Sequence, residues 1–291
     1  MVQKESVFII IPVYNRRQIT LDCLATLQQT GDLDRYRVIV VDDGSTDGSA
    51  TAIRDRFPDV IILTGDGNLW WTGAMVKGMN YAVEQGADYI IWLNDDCVPT
   101  ANTLSTMVNY CRQYPQTITG AACYLTDTNT LHVSGAKGRQ RVAAKPGEGV
   151  TVDEMSGHCV CLPTTVIQQI GLPNWHRFPH YHGDSMYLLR ATRSGFTACI
   201  LGDAKISHAG VIKSQIQDFL SPEPRSLIGD FQTLFLHKKS FYFLPTQFFY
   251  YLEKYGLWQG IPMFGMKCGW WFIQLIKCHL TQPRSQPLAE N

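Results

Sequence analysis

The feature that most constrains this chain is a repeated alternation across residues 7–114. Apolar runs, rich in β-branched residues in the first three, occupy residues 7–11, 38–41, 60–63 and 89–93. Between and after them, residues 16–29, 46–57, 72–84 and 101–114 have helical spacing; in the first, Ile19, Leu24 and Leu27 share one side. A strand that is apolar on both sides has no wet face, so it belongs between two covering layers. Such strands alternating with amphipathic helices predict an α/β fold, a Rossmann-like, mostly parallel sheet flanked by helices. Sheets of this kind take ligands at the carboxyl ends of their strands.

That rule directs attention to the segments after each strand. They read Pro12-Val13-Tyr14-Asn15, Asp42-Asp43-Gly44-Ser45, Gly65-Asp66-Gly67-Asn68 and Asn94-Asp95-Asp96. Three of the four carry carboxylates, and all four converge on one rim. A rim of carboxylates either repels anions or holds a hard cation that reverses the local sign.

Further along, residues 126–155 are polar and glycine-rich and read as a loop or hairpin over the sheet, with weak strand signals at 131–133 and 141–144. Residues 160–162 read as a strand and 164–170 as a helix closed by Gly171 and Pro173. Residues 184–195 read as a helix, and 197–201 and 205–208 as short strands. From residue 222 the composition changes to Phe, Tyr and Trp with scattered Lys, in amphipathic stretches at 241–251 and 261–276. The expected organisation is a catalytic domain over 1–220, a helical aromatic appendage over 221–280 and a disordered tail over 281–291.

Composition excludes several classes. Lys plus Arg and Asp plus Glu both number 25, so net charge gives no argument for nucleic-acid binding, and no such partner is expected. The nine cysteines include no CxxC pair, which argues against a disulfide framework or a structural zinc site and for small core residues in a reducing compartment. No GxxxxGK[ST] is present, so a P-loop is excluded. Neither a signal peptide nor a transmembrane segment is expected, which places the chain in the cytoplasm.

The motifs FIIIPVYNR, VIVVDDGSTDGS, GNLWWTGA and YIIWLNDDCVP resemble, in order and spacing, the successive signatures of glycosyltransferase family two. A weaker similarity continues through Gly183-Asp184 and the triplet His208-Ala209-Gly210. The resemblance implies the A-type glycosyltransferase fold and inverting sugar transfer from a nucleoside-diphosphate sugar (UDP-, dTDP- or GDP-linked), as in rhamnosyltransferase-like members. It also implies a glycan or lipid-linked acceptor in cell-surface polysaccharide or glycolipid assembly.

By that resemblance Asp43 accepts a hydrogen bond from the nucleotide base, with Pro12, Tyr14, Asn15, Gly67, Asn68, Gly73 and Asp95 around the nucleotide. Alternatively, Asp42 and Asp43 only end a strand in a turn. Asp47 reads as a helix cap. Asp96 is the implied ligand of Mg2+ or Mn2+, which would neutralise the diphosphate, and His208 is a second candidate ligand. Asn94 stands where an acid is usual, leaving the ligand set open. Asp184 is the implied base, and Gly183 replaces the usual Glu; a plain helix N-cap is the other reading of Asp184. His158, His176, His180 and His182 form a histidine-rich stretch without a metal-ligand spacing. Trp70 and Trp71 suit sugar stacking or core packing, and Lys77 suits a phosphate contact or a solvated helix face. The aromatic appendage is open to three readings: a membrane-surface contact with peripheral attachment, a lid, or a homodimer interface. Two other functions compete, a non-catalytic sugar-nucleotide-binding protein and a sugar nucleotidyltransferase. The absence of a glycine-rich loop after the first strand argues against the latter.

Overall fold

A computed structural model describes residues 6–208, 215–220 and 226–281. These fall into two compact units. One contains 6–179 and 183–208; the other contains 180–182, 215–220 and 226–281. Ala209, Gly210, residues 221–225 of the expected appendage and residues 282–291 of the expected tail lie outside the described residues. Thr281 ends a helix.

In the first unit the alternation expected from sequence is observed: β1 (Val7–Val13), α1 (Arg17–Gln29), a short α2 (Asp32–Arg35), β2 (Arg37–Asp42), α3 (Ser49–Arg56), β3 (Ile61–Thr64), α4 (Trp70–Glu84), β4 (Tyr89–Leu93), β5 (Cys97–Pro99) and α5 (Thr103–Gln113). There follow β6 (Thr117–Leu125), β7 (Gly135–Lys137), β8 (Gln140–Val142), β9 (Gly149–Val152), β10 (Glu154–Met155), β11 (Cys159–Pro163), α6 (Thr165–Ile170), α7 (Gly183–Arg193) and β12 (Thr197–His208).

The main sheet runs β3-β2-β1-β4-β11-β6-β12-β5, with β9 also paired to β12. Strands β3, β2, β1, β4, β6 and β12 point one way, and β11, β5 and β9 run against them. The sheet is therefore mostly parallel, with antiparallel additions beyond β4. Side-chain alternation on β1 explains its unbroken apolar run. Ile9, Ile11 and Val13 join a core on one face with Leu24, Ile53 and Leu104. Phe8 and Ile10 join the opposite core with Met75, Val166 and Leu188. Helices α1, α3 and α5 thus cover one face, and α4, α6 and α7 the other.

Four details differ from the sequence reading. Strand β6 was not expected. The two strands expected after residue 197 are one strand, β12, whose register with β6 shifts between Leu201 and Lys205. In the polar stretch the weak signal at 131–133 is only a bridge from Leu131 to Tyr124, while β7, β8 and β10 form a small sheet of their own. In the second unit α8 (Leu227–Phe231) precedes α9 (Leu244–Thr281), which merges the two expected helices across a break at Gly256 (φ 75°, ψ 176°). The left-handed φ there suits glycine. This unit has its own core, including Leu234, Phe235, Tyr242, Tyr251, Trp271 and Leu275. No helix among the described residues is long and apolar enough to cross a membrane.

Candidate functional site

The carboxyl ends of β1 to β4 do form one rim, and the loops are stitched to each other. Asn15, with a left-handed φ of 52°, donates its N–H to Ser45 Oγ (2.8 Å) and accepts the Thr46 N–H on Oδ1 (2.8 Å). Asp47 accepts the Ser49 N–H at the head of α3 (3.0 Å) and the Arg17 N–H at the head of α1 (2.9 Å). Pro12 lies in β1 opposite Val41, and the Tyr14 ring is 51% exposed at the rim.

Asp43 is buried beneath the third loop. Its Oδ1 accepts the Gly67 N–H and its Oδ2 the Trp70 N–H, both at 2.9 Å. Gly67 and Trp70 both have positive φ, 87° and 56°. The carboxylate thus holds an unusual backbone path, a task that sequence alone did not reveal. Each oxygen retains a second lone pair for another donor. Asn68 is exposed, its N–H bonded to Asp66 (2.9 Å). Gly73 is buried in the first turn of α4, packed against Leu69 and Trp175. Lys77 is exposed and donates to the Thr64 carbonyl (2.5 Å).

Beyond β4 the acidic pair meets a cation that the sequence reading missed, Arg16. Its guanidinium touches Asp95 Oδ1 (3.1 Å) and Asp96 Oδ2 (2.9 Å). Asp95 points inward, 3% exposed, and also accepts the Thr20 hydroxyl (3.0 Å). Burial pushes its carboxyl up to about 6 against the pull of Arg16, with the charge of Asp96 adding to the rise. Burial raises Asp96 as well, but the Arg16 hydrogen bond and charge, helped by His208, outweigh it and hold this carboxyl below the usual range. The remaining oxygen of Asp96 faces the Cys97 thiol (3.6 Å) and His208 Nε2 (3.8 Å). Asp96, Cys97 and His208 are the one set of three such donors close enough to share a metal ion among the described residues. An imidazole nitrogen and a thiol beside the Asp96 oxygen that Arg16 leaves free fit a divalent cation.

Asn94 is a framework residue. Its Oδ1 accepts the Trp71 indole N–H (2.8 Å), and its N–H donates to the His158 carbonyl (3.0 Å). Trp71 in turn stands edge-on to Trp92, with centroids 5.7 Å apart.

Asp184 sits in the first turn of α7. Its Oδ2 accepts the Gly157 N–H (2.5 Å) and its Oδ1 the Ser185 N–H (2.7 Å). Desolvation raises its carboxyl above the ordinary aspartate value, opposed by those two donors. The glycine before it has a steric cause: a Cβ at Gly183 would overlap the Thr72 hydroxyl. A Glu side chain has no room there. Gly157 is similarly wedged between the Trp71 ring and Asp184, where a Cβ would meet both within 2.9 Å.

The strip from Ser156 to His158 ties the two halves of the site together. Gly157 holds Asp184, while the His158 ring lies 5.1 Å from that of His208. Desolvation and the neighbouring His208 bring His158 down to about 4, and Ser156 Oγ lies 3.2 Å from its Nδ1. The other histidines do not join it. His176 lies tilted against Trp175, and His180 and His182 belong to the second unit, where His182 stacks on Tyr250 at 4.1 Å.

A mostly parallel sheet with an acidic pair at the fourth strand end and a half-buried Asp at the head of a later helix belongs to the A-type glycosyltransferase class of fold. Solved structures with the same fold include GalNAc-T7 with UDP, GalNAc and Mn2+ (TM-score 0.61, 13% identity, 97% of this chain and 58% of that one). They also include a mannosyltransferase from Pyrobaculum calidifontis with GDP-Man and Mn2+ (TM-score 0.56, 14% identity, 96% and 88%). A third is S. aureus TarS 1–349 (TM-score 0.54, 12% identity, 70% and 60%). This chain therefore spans well under two thirds of two of these relatives. The comparison with curated proteins gave no match. The sequence profile of glycosyl transferase family 2 matches residues 8–167, more than half of the chain, and the chain belongs to that family.

Proposed function

We propose that this chain is a metal-dependent, inverting glycosyltransferase that moves a sugar from a nucleoside diphosphate to an acceptor hydroxyl on a glycan or lipid-linked glycan. The observation that carries the reading is the Ser156–His158 strip. It links Asp184, a carboxylate with raised proton affinity, to the donor pair Asp96 and His208.

In this reading Asp96 and His208 hold Mg2+ or Mn2+. When bound, the ion supplies charge neutralisation for the leaving diphosphate. Tyr14 and Pro12 flank the base. Asp43 offers its unused lone pairs to a base N–H while it keeps the Gly67–Trp70 loop in place. Asn15, Gly67, Asn68 and Gly73 shape the rim around the ribose and phosphates, and Asp95 supports it through Arg16. Asp184 removes the acceptor proton at its carboxylate as the new C–O bond forms. Gly157 and Ser185 N–H groups orient that carboxylate. No covalent glycosyl-enzyme is needed for a single displacement. The two departures from the family pattern have structural causes here: Asn94 serves Trp71, and Gly183 is forced by Thr72.

The test is calorimetric binding of UDP, dTDP and GDP, with and without Mn2+, to wild type, Asp96→Ala and Asp184→Asn. We expect Mn2+-dependent binding of one nucleotide, lost in Asp96→Ala and kept in Asp184→Asn, with sugar transfer lost in both. Folded wild type that binds none of the three overturns the proposal.

A further inference from the structure

The second unit carries an apolar face that its own core leaves uncovered. Beyond Gly256, α9 continues to Thr281, a rod of about 37 Å at the usual helical rise. One side packs inward, where Trp271 and Leu275 are buried in the unit's core. The opposite side is a second apolar stripe. Trp258, Met266, Ile273, Ile276 and Leu280 recur along it at helical spacing and are all exposed, Trp258 by 92%, Met266 by 69% and Leu280 by 78%. A helix docked on one side in water ordinarily has polar residues on the other.

Charge identifies what this face meets. Beyond Gly256 the helix contains no Asp or Glu and carries Lys267, Lys277 and His279; His279 faces Asp230 (3.7 Å), and Lys277 borders the exposed stripe at helical spacing. Between residues 238 and 255, Lys238, Lys239 and Lys254 outnumber Glu253. The helix does not qualify as a membrane span. An exposed apolar stripe bordered by Lys277 and free of acidic residues, on a helix that does not span, suits a bilayer interface. Anionic headgroups complement the lysines. A second copy of the same face would instead bring like charges together.

We propose that this face of α9 docks on an anionic bilayer surface, with Trp258, Met266 and Leu280 entering the acyl boundary and Lys277 at headgroup level. The catalytic proposal does not underlie this one, and the two fail separately.

The test is flotation of the full chain with phosphatidylcholine vesicles, with and without phosphatidylglycerol. Wild type is expected to float with the anionic vesicles and to dissociate as salt rises. Lys277→Gln should weaken partitioning by about fivefold, the fold-change that one lysine near a charged surface contributes. Trp258→Glu combined with Met266→Glu should abolish flotation while leaving the melting curve and nucleotide binding unchanged, since both side chains are exposed. The proposal is overturned if folded wild type ignores anionic vesicles, or if the double variant floats as well as wild type. It is equally overturned if wild type sediments as a dimer that ignores vesicles and that the double variant dissociates, which would assign the face to a second copy.

Discussion

Asp95 and Asp96 stand side by side, and the chain supplies its own cation for them in Arg16. Removing the guanidinium leaves two close carboxylates without a counter-ion. Arg16→Met should therefore cost about 1 kcal/mol in metal-free protein, a modest figure because the arginine is 37% exposed and screened. Mn2+ should then raise the melting temperature of the variant by more than that of wild type. Calorimetric scans with and without Mn2+ decide this, and equal shifts would count against the shared field. At Asp184 the raised proton affinity has a kinetic sign. A base works deprotonated, so kcat/KM should fall as pH drops through a value above the ordinary aspartate pKa of about 3.9. Its folded pKa exceeds the unfolded one, so this group weakens the fold above that pKa and ceases to do so on acidification. Asp184→Asn should lower transfer by about 10²–10⁴-fold and abolish that acid limb, as a pH–rate profile would show. At this scale the sequence exposed the acids because their motif spacing marks strand ends. It hid Arg16, whose partners lie some eighty residues away, and it hid the backbone bonds of Asp43, which no side-chain pattern encodes.

Elements were legible where burial imposes a repeating pattern. β1, β2 and β4 are apolar on both faces and could be read directly. β6 could not, because Thr-Ile-Thr-Gly-Ala-Ala lacks a bulky run, and Gly120 within it gives way to Met155. β12 read as two pieces because Gly202 and Asp203 interrupt its pattern at the register shift. Helix α9 offers a paired prediction. At Gly256 the left-handed backbone should make Gly256→Ala costly by about 1–2 kcal/mol. Gly265 lies in regular helix with open space beside it, so Gly265→Ala should stabilise by about 0.5–1 kcal/mol. Chemical denaturation of the two variants checks the opposite signs. At the head of α7, Gly183→Ala should cost about 1–3 kcal/mol by crowding Thr72.

For the whole molecule, the change in composition near residue 222 signalled a second kind of structure, and the second unit has a core of its own. That residues 180–182 belong with it was not legible, because they sit inside the sequence of the first unit. Seven of the nine cysteines are buried, as small core residues should be. Four histidines weaken the fold in acid, and His132, lowered by burial, is the mildest of them. Desolvation brings His158 and His180 down to about 4 and His182 to about 3. Their unfolded values are near 6.5, so unfolding takes up protons below that pH. Stability from these groups is complete above about pH 6.5 and is lost as pH falls toward 4. Melting temperature should follow that course, and His158→Gln should flatten part of it. The Ser156–His158 strip has a different consequence. It touches Asp184 on one side and the His208 ring on the other, so the two cannot drift independently. One substitution that displaces those three residues, such as a side chain at Gly157 forced against Trp71 and Asp184, would therefore disturb the carboxylate and the imidazole together.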